Sequence, residues 1–417
     1  MDSPPSSISG REFPDPLDLQ TLQDSRSTIP RYLFKCYSPS SGSRCSTRFI
    51  GPRARPTTFG PHTQDILECH LRWGKQIRSE FVSWTNSILV ALVYAIRKLE
   101  GQDWRDPTGE GICIAVLDTS TVPETVPIYP AGTLMKTFGL PDDAPYKRYN
   151  HSWEFLMHGR VRNTPCIQRY SVVAVQDFID NNFYQVFEPF QNPDQRLWAR
   201  MDELRKELWK QNTGSSDMDR IADMANKFHV EFQLPVALAL AAMFKIDTTC
   251  VDCIKLLAEE DFKHMKIPSS YSACPVDSSF RSDYYEDTRF YTLLTGVYKQ
   301  RLVSEQTESI SSIRNTAITN STLAHEANNQ RKDSLVAPPS SAIQAESLPG
   351  EDSAQKALTK QETASKLMEV ASKLREMASK LREMASGRRP MYSVELLDFA
   401  SDIERMQISC LLDGGTW

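Results

Sequence analysis

The sequence of 417 residues lacks any hydrophobic run long enough to cross a membrane. Its longest nearly unbroken apolar runs, Ser87 to Ile96 and Leu234 to Phe244, fall well short of the roughly 20 residues that a transmembrane helix needs. The first twenty residues are rich in serine and proline and have no apolar centre, so we expect no secretory signal there. The composition, 40% apolar and 24% charged with a net charge of -5, is typical of soluble globular proteins.

Cysteines are few, and their number, nine, is odd. They are scattered along the chain, so we expect no disulfide framework and favour a reducing compartment, cytoplasmic or nuclear. One CxxC sequence, Cys250 to Cys253, has no second pair at the spacing of a structural zinc site, so no metal site is predicted.

The pattern of apolar residues divides the chain into segments. Short β-rich runs alternate with helix-like runs up to about residue 190, and apolar residues then recur at spacings of three and four. The run from Leu234 to Phe244 is apolar all round, which predicts a buried central helix. The expected segments are a disordered start (1–28), an α+β domain (29–190), a helical domain (191–303), a disordered linker (304–356), a heptad-repeat helix (357–386) and a tail (387–417).

A repeat with a period of seven lies near the C-terminal end of the sequence. Residues 364–384 read ASKLMEV, ASKLREM, ASKLREM, which places alanine and leucine along one seam of a helix. Such a seam predicts self-association or binding of a protein partner through residues 357–386. The alternative is a single solvated helix, because three heptads with alanine in the seam bury little surface.

The segment from residue 25 to residue 64 is basic in a chain of negative net charge. It contains no acidic residue and seven basic ones: Arg26, Arg31, Lys35, Arg44, Arg48, Arg53 and Arg55. This clustering suits an anionic ligand such as a phosphate, or nucleic acid. The alternative is a solvated loop between Pro39 and Pro61.

Three segments of the α+β domain carry residues suited to chemistry. The first, Arg31 to Ser38, has the pattern of a strand with Lys35 on one face. The second is a strand on which Phe81, Ser83 and Thr85 share a face, followed by a helix that Thr85 or Asn86 would cap. A strand that ends in hydroxyls where a helix begins places those hydroxyls at the mouth of a cleft.

The third segment is a hydrophobic strand with an acid in it. Trp153, Phe155 and Met157 would face the core, which leaves Glu154 on the other face. Burial of an unpaired carboxylate is costly, so this position suggests either a functional acid or an ion pair at the rim with Arg160 or Arg148.

Taken in order, the three segments resemble the subgroup of the ADP-ribosyltransferase family that is marked by arginine, serine and glutamate motifs. The matching residues are Phe34 and Lys35 for the first motif, Phe81, Ser83 and Thr85 for the second, and Glu154 to Gly159 for the third. The chain is also similar to an uncharacterised fungal domain family with the phrases YLFKCYSP and SWTNS. The resemblance covers about residues 30 to 165.

The resemblance implies a mixed sheet domain that binds NAD and transfers its ADP-ribose. It implies that Lys35 lies near the NAD phosphates and that Ser83 and Thr85 brace the pocket. Glu154 would bond a hydroxyl of the nicotinamide ribose and stabilise the cationic sugar that forms when the bond to nicotinamide breaks.

Two positions differ from the family pattern. Lys35 stands where the family has arginine, and Ser152 stands where many active members have Glu or Gln. The function predicted from the sequence is therefore NAD-dependent ADP-ribosyl transfer, or NAD binding by a degenerate relative of these enzymes. The alternative is a non-catalytic interaction or scaffold protein that uses the same fold and associates through residues 357–386.

Overall fold

A computed structural model describes most of the chain up to residue 311. The described residues are 16–60, 62–72, 78–101, 109–140, 153–191, 201–211, 213–247, 250–269, 271, 286–305, 307 and 311. The chain divides into two compact units, 1–323 and 324–417, and every described residue belongs to the first. The heptad-repeat helix predicted for residues 357–386, the tail and most of the predicted linker lie outside the described residues.

Nine strands lie in the described residues and form two antiparallel sheets. They are β1 (Tyr32–Tyr37), β2 (Ser43–Cys45), β3 (Phe49–Pro52), β4 (Phe81–Thr85), β5 (Cys113–Asp118), β6 (Ile128–Pro130), β7 (Glu154–His158), β8 (Val161–Arg162) and β9 (Tyr170–Ala174). The larger sheet has the strand order β6-β7-β4-β1-β5-β9, and the smaller sheet has the order β2-β3-β8. The three strands that carry the sequence motifs, β7, β4 and β1, are therefore neighbours in one sheet.

Helices cover much of the larger sheet and make the fold mixed α+β, as the sequence predicts. They are α1 (Pro16–Asp24), α2 (Thr63–Leu71), α3 (Ile88–Leu99), α4 (Ala131–Thr137), α5 (Val175–Asp180), α6 (Phe183–Val186), α7 (Met201–Lys210), α8 (Ser215–Ala225), α9 (Val230–Ala241), α10 (Val251–Leu256) and α11 (286–305). Among the described helices, none combines the length and the hydropathy that a bilayer crossing requires.

The larger sheet is buried on both of its faces. Leu33 and Phe34 are neighbours in β1, and neither side chain is exposed to solvent. Because successive side chains of a strand point to opposite faces, both faces must be covered. Phe34 packs against Phe290 of α11 at 6.1 Å between ring centroids, whereas Leu33 packs in a cluster with Ile50 of the smaller sheet.

Helix α9 is the buried helix that the sequence predicts, although it begins earlier than expected. The residues from Leu234 to Ala241 are all buried in the cluster that also contains Phe34 of the sheet. His229 caps the helix by accepting a hydrogen bond from the backbone N–H of Glu231 at 3.4 Å. Pro235 therefore lies inside the helix and not in its first turn.

The first helix contradicts the disorder expected for residues 1–28. Residues 16–24 form α1, and a 3-10 turn follows over residues 25–28. Leu22 is 2% exposed and packs in a cluster with Leu134 and Phe138 of α4. One buried leucine gives no periodic pattern in the sequence, which explains why the helix was not predicted. Residues 1–15 lie outside the described residues.

Helix α3 is capped by Ser87, and not by Thr85 or Asn86 as the sequence suggests. Ser87 has an extended backbone, and its hydroxyl accepts a hydrogen bond from the backbone N–H of Val90 at 3.4 Å. The hydroxyl of Thr85 accepts a hydrogen bond from the backbone N–H of Ser87 at 3.1 Å. Thr85 therefore remains the last residue of β4, with its side chain on the sheet.

Candidate active site

Strand pairing places the predicted residues of β4 and β7 on one face of the larger sheet. Thr85 pairs directly with Glu154 across the two strands, and Ser83 pairs with Leu156 two residues along. Directly paired residues of antiparallel strands point to the same side, so Ser83, Thr85 and Glu154 share a face. Ser83 and Glu154 therefore lie on the same face of the sheet.

On this face of the sheet, Thr85 and Glu154 are buried and Ser83 is partly exposed. Thr85 is 6% exposed and Glu154 is 9% exposed, whereas Ser83 is only half-buried. Helix α2 covers part of the same face, because its residue Leu67 packs in one cluster with Leu156. A ligand can therefore reach Ser83 from solvent, with the carboxyl of Glu154 deeper in the protein.

Lys35 begins on the other face of the sheet and contacts the site through the backbone of β4. Strands β1 and β4 form a single residue pair, Phe34 with Thr85, so Phe34 points to the face of Thr85 and Lys35 starts on the opposite face. The ammonium of Lys35 nevertheless donates a hydrogen bond to the backbone carbonyl of Ser83 at 3.1 Å. In this arrangement the ammonium braces β4.

His70 is a member of the site that the sequence analysis missed. It lies near the end of α2, and its Nε2 is 2.8 Å from the hydroxyl oxygen of Ser83, a hydrogen-bonding distance. The sequence signal is weak: Leu67 and Leu71 form the buried side of α2, and His70 follows Leu67 at a spacing of three, which puts it near that side. Such a histidine indicates a site only when its partner is known, and the structure identifies that partner as Ser83 of β4.

Burial and charge couple these side chains. Burial lowers the pKa of His70 to about 4; the charge of Glu154 opposes that shift and the charge of Lys35 adds to it. Burial also lowers the pKa of Lys35, and nearby groups that include Glu154 oppose the change. The charge of Glu154 therefore acts on both His70 and Lys35. We call Lys35, His70, Ser83, Thr85 and Glu154 the Glu154 site.

Arg31, the other basic residue of the first motif segment, lies outside the Glu154 site. Its guanidinium forms an ion pair with Asp118 at 3.3 Å, and both side chains are buried. The guanidinium carbon also lies 4.7 Å from the ring centroid of Tyr271. Arg31 is thus a structural residue that joins β1, β5 and the helical part of the chain.

The Glu154 site combines five side chains that carry four kinds of chemical group. It has a buried carboxyl (Glu154), two hydroxyls (Ser83 and Thr85), an imidazole that is neutral near pH 7 (His70) and an ammonium held on a backbone carbonyl (Lys35). The bond from Ser87 uses an acceptor site of Thr85, which leaves the hydroxyl proton of Thr85 available to donate. Such a set can bind the hydroxyls of a sugar and stabilise a positive charge beside the carboxyl.

A comparison with protein families gives one match in this part of the chain. A family model described as a domain of unknown function (DUF7587) matches residues 28–177. That range contains all nine strands and every residue of the Glu154 site. Neither the curated proteins nor the solved structures contain a match to this chain.

The lowered pKa of His70 predicts a loss of stability in acid. Histidine has an ordinary pKa of 6.5, and burial lowers the pKa of His70 to about 4. Between these two pH values, His70 is protonated in the unfolded chain but stays neutral in the folded protein. The free energy of unfolding should therefore fall as the pH falls from 6.5 towards 4. Since the ring is partly exposed, we expect a loss of about 1–2 kcal/mol between pH 7 and pH 5.

Urea unfolding of the wild type and of His70→Gln at both pH values measures this loss. Glutamine can keep a hydrogen bond to Ser83 but cannot titrate, so the variant should lose less stability in acid. The pKa of His158 is also lowered by burial, but this residue is present in both proteins and its contribution cancels in the difference. Identical pH dependence in the two proteins would show that His70 is not the buried neutral histidine described above.

Proposed function

We propose that the Glu154 site binds NAD as a substrate and transfers its ADP-ribose to an acceptor. The observation that carries this proposal is the direct pairing of Thr85 with Glu154, with the partly exposed Ser83 on the same face of the sheet. The adjacency of β1, β4 and β7 in the sheet also supports it, because the three motifs then meet at one place.

The reaction needs a group that stabilises a cationic sugar. The bond between C1′ of the ribose and the ring nitrogen of nicotinamide breaks, and its electron pair leaves with neutral nicotinamide. The sugar becomes cationic, and a carboxylate held beside it stabilises that charge, as in the cleavage of glycosides. A nucleophile of the acceptor then bonds to C1′ and releases a proton. Glu154 is the one acidic member of the Glu154 site, so we assign the stabilising role to it.

The remaining members of the site have supporting roles in this proposal. His70 is neutral and hydrogen-bonded to Ser83, so it fixes the hydroxyl of Ser83 against the sheet. Thr85 can donate its hydroxyl proton to a ribose oxygen. Lys35 is bound to the carbonyl of Ser83, so contact with an NAD phosphate requires that the ammonium leave this carbonyl. This requirement gives a physical reason to expect weak binding of NAD.

Release of nicotinamide from NAD by the full chain tests the proposal. We expect slow release by the wild type and faster release by Lys35→Arg, because a guanidinium offers five N–H donors and can grip phosphate with two of them at once. Lys136→Arg, the same change at an exposed residue of α4, is the matched control and should match the wild type.

Binding measurements separate catalysis from binding alone. If NAD binds to the wild type and to Lys35→Arg but neither releases nicotinamide, the site belongs to a degenerate relative that binds NAD without turnover. If neither protein binds NAD, the proposal fails and the non-catalytic alternative, an interaction or scaffold protein, is favoured.

A further inference from the structure

The smaller sheet has an apolar inner face and a basic outer face. Arg44 pairs with Gly51 across β2 and β3, and Phe49 pairs with Arg162 across β3 and β8, so these four residues share one face. Arg44 and Arg162 are exposed, which shows that this face is turned to solvent. The other face, which includes Ile50, packs into the core beneath the larger sheet.

Two further arginines complete the outer face. A Cβ at Gly51 would lie 3.0 Å from the Cβ and Cγ of Arg160, so the missing side chain lets the stem of Arg160 lie across β3. The guanidinium carbon of Arg160 lies 4.7 Å from the centroid of the Phe49 ring. Arg48 is exposed beside the start of β3. We call Arg44, Arg48, Phe49, Arg160 and Arg162 the arginine face.

Among the described residues, no acidic side chain neutralises the arginine face. Strands β2 and β3 come from the acid-free segment 25–64, and β8 comes from a second acid-free segment, 155–176. Within the part of the chain that the structure describes, no carboxylate forms an ion pair with any of its four arginines. Pairing of the strands therefore concentrates positive charge that the sequence keeps in two distant segments.

An open groove lies at the edge of the arginine face. Its volume is about 550 Å³, and Arg48, Phe49, Arg162 and Thr164 are among the residues that line it. The loop after β8 that forms one wall is held in place by Asn163, whose side chain donates to the carbonyl of Tyr170 at 3.0 Å and accepts from the backbone N–H of Arg169 at 2.9 Å. The groove therefore exists before a ligand binds.

We propose that the arginine face and its groove bind the phosphate backbone of single-stranded nucleic acid. Guanidinium groups bind phosphates with two parallel hydrogen bonds, and several exposed guanidinium groups along one face suit a chain of phosphates. The partly exposed ring of Phe49 offers a surface on which a base can stack between them. This site is separate from the Glu154 site and does not depend on its function.

The spread of the charges favours a polymer over a single phosphorylated residue. Arg44 and Arg162 lie on the two strands that flank β3 and are offset by two residues along it, so their backbones are about 12 Å apart at spacings of about 4.8 Å between strands and about 3.3 Å per residue. One phosphoryl group needs charges that converge on one point, whereas a nucleic-acid chain meets charges in succession. An aromatic ring among arginines adds a contact that an unstacked base can use and that a base inside a duplex cannot.

Fluorescence anisotropy of a labelled 12-nucleotide oligothymidylate with the full chain tests this proposal. We expect saturable binding that weakens with salt, with a slope of about 0.7 in log K against log salt for each phosphate contacted. The double variant Arg48→Gln/Arg162→Gln should bind at least tenfold more weakly. The magnitude of its salt slope should be smaller by about 1.4, because two phosphate contacts are removed. Phe49→Leu should weaken binding and leave the slope unchanged, because a stacking contact carries no charge.

The matched control removes two positive charges elsewhere. Lys227 and Lys263 are exposed residues of the helical part, and Lys227→Gln/Lys263→Gln should bind the oligonucleotide like the wild type. Equal weakening by both double variants would show that only the overall charge matters, and this would overturn the proposal. So would the absence of binding at low salt, tighter binding of a duplex of equal length, or tighter binding of a serine phosphopeptide.

Discussion

Glu154→Gln should reduce the release of nicotinamide from NAD at least 100-fold. The substitution preserves the shape of the side chain but removes the negative charge that would stabilise the cationic sugar, and loss of one such electrostatic contact typically costs a factor of 100 to 1,000. Because glutamine keeps the volume of glutamate at this buried position, the melting temperature should stay nearly the same. Turnover of Lys35→Arg and of Lys35→Arg/Glu154→Gln, measured alongside, provides a more active background for the comparison.

The matched control for this prediction is Glu124→Gln. Glu124 is exposed in the loop before β6, so its neutralisation should leave both turnover and melting temperature unchanged. If Glu154→Gln retains the turnover of the wild type while NAD still binds, then Glu154 does not stabilise the reacting sugar, and its role in the sheet is structural.

Arg31→Met should destabilise the protein by about 3–5 kcal/mol, the usual cost of removing one partner from a buried ion pair. Asp118 is 3% exposed, so the substitution leaves its carboxylate buried without the guanidinium at 3.3 Å. It also removes the stacking of Arg31 on the ring of Tyr271. Urea unfolding measures the difference in the free energy of unfolding.

Arg72→Met is the control for this prediction. Arg72 forms an ion pair with Glu68 at 2.6 Å, but the side chain of Arg72 is 52% exposed, so we expect a cost below about 1 kcal/mol. Equal costs for the two substitutions would contradict the structural role assigned to Arg31.

Much of the α+β part could be predicted because the apolar patterns that specify its strands and helices lie within short stretches of sequence. The runs around Phe34, Ser83 and Leu156 predict strands, and the period of two places Ser83 and Glu154 on matching faces once the strands pair. The apolar run from Leu234 predicts a buried helix, because a helix that is apolar all round must be covered by other parts of the protein.

The parts that could not be predicted depend on contacts between distant residues. The ammonium of Lys35 can bond to the carbonyl of Ser83 because β1 and β4 share only a single residue pair. No local pattern in the sequence shows where this pairing ends. His70 joins the site only because α2 packs over Ser83. The arginine face requires β8 to pair with β3, which brings Arg162 from a second acid-free segment 113 residues after Phe49.

The central claim, that the Glu154 site binds NAD, is tested most directly by calorimetric titration of NAD into the full chain. We expect saturable binding with one molecule of NAD per chain in the wild type. Thr85→Val keeps the shape of the β-branched side chain, and His70→Leu removes the hydrogen bond to Ser83; both should weaken binding, whereas Thr133→Val in α4 should not. The absence of any saturable heat in the wild type and in Lys35→Arg would contradict the account, as would binding that Thr85→Val and His70→Leu leave unchanged.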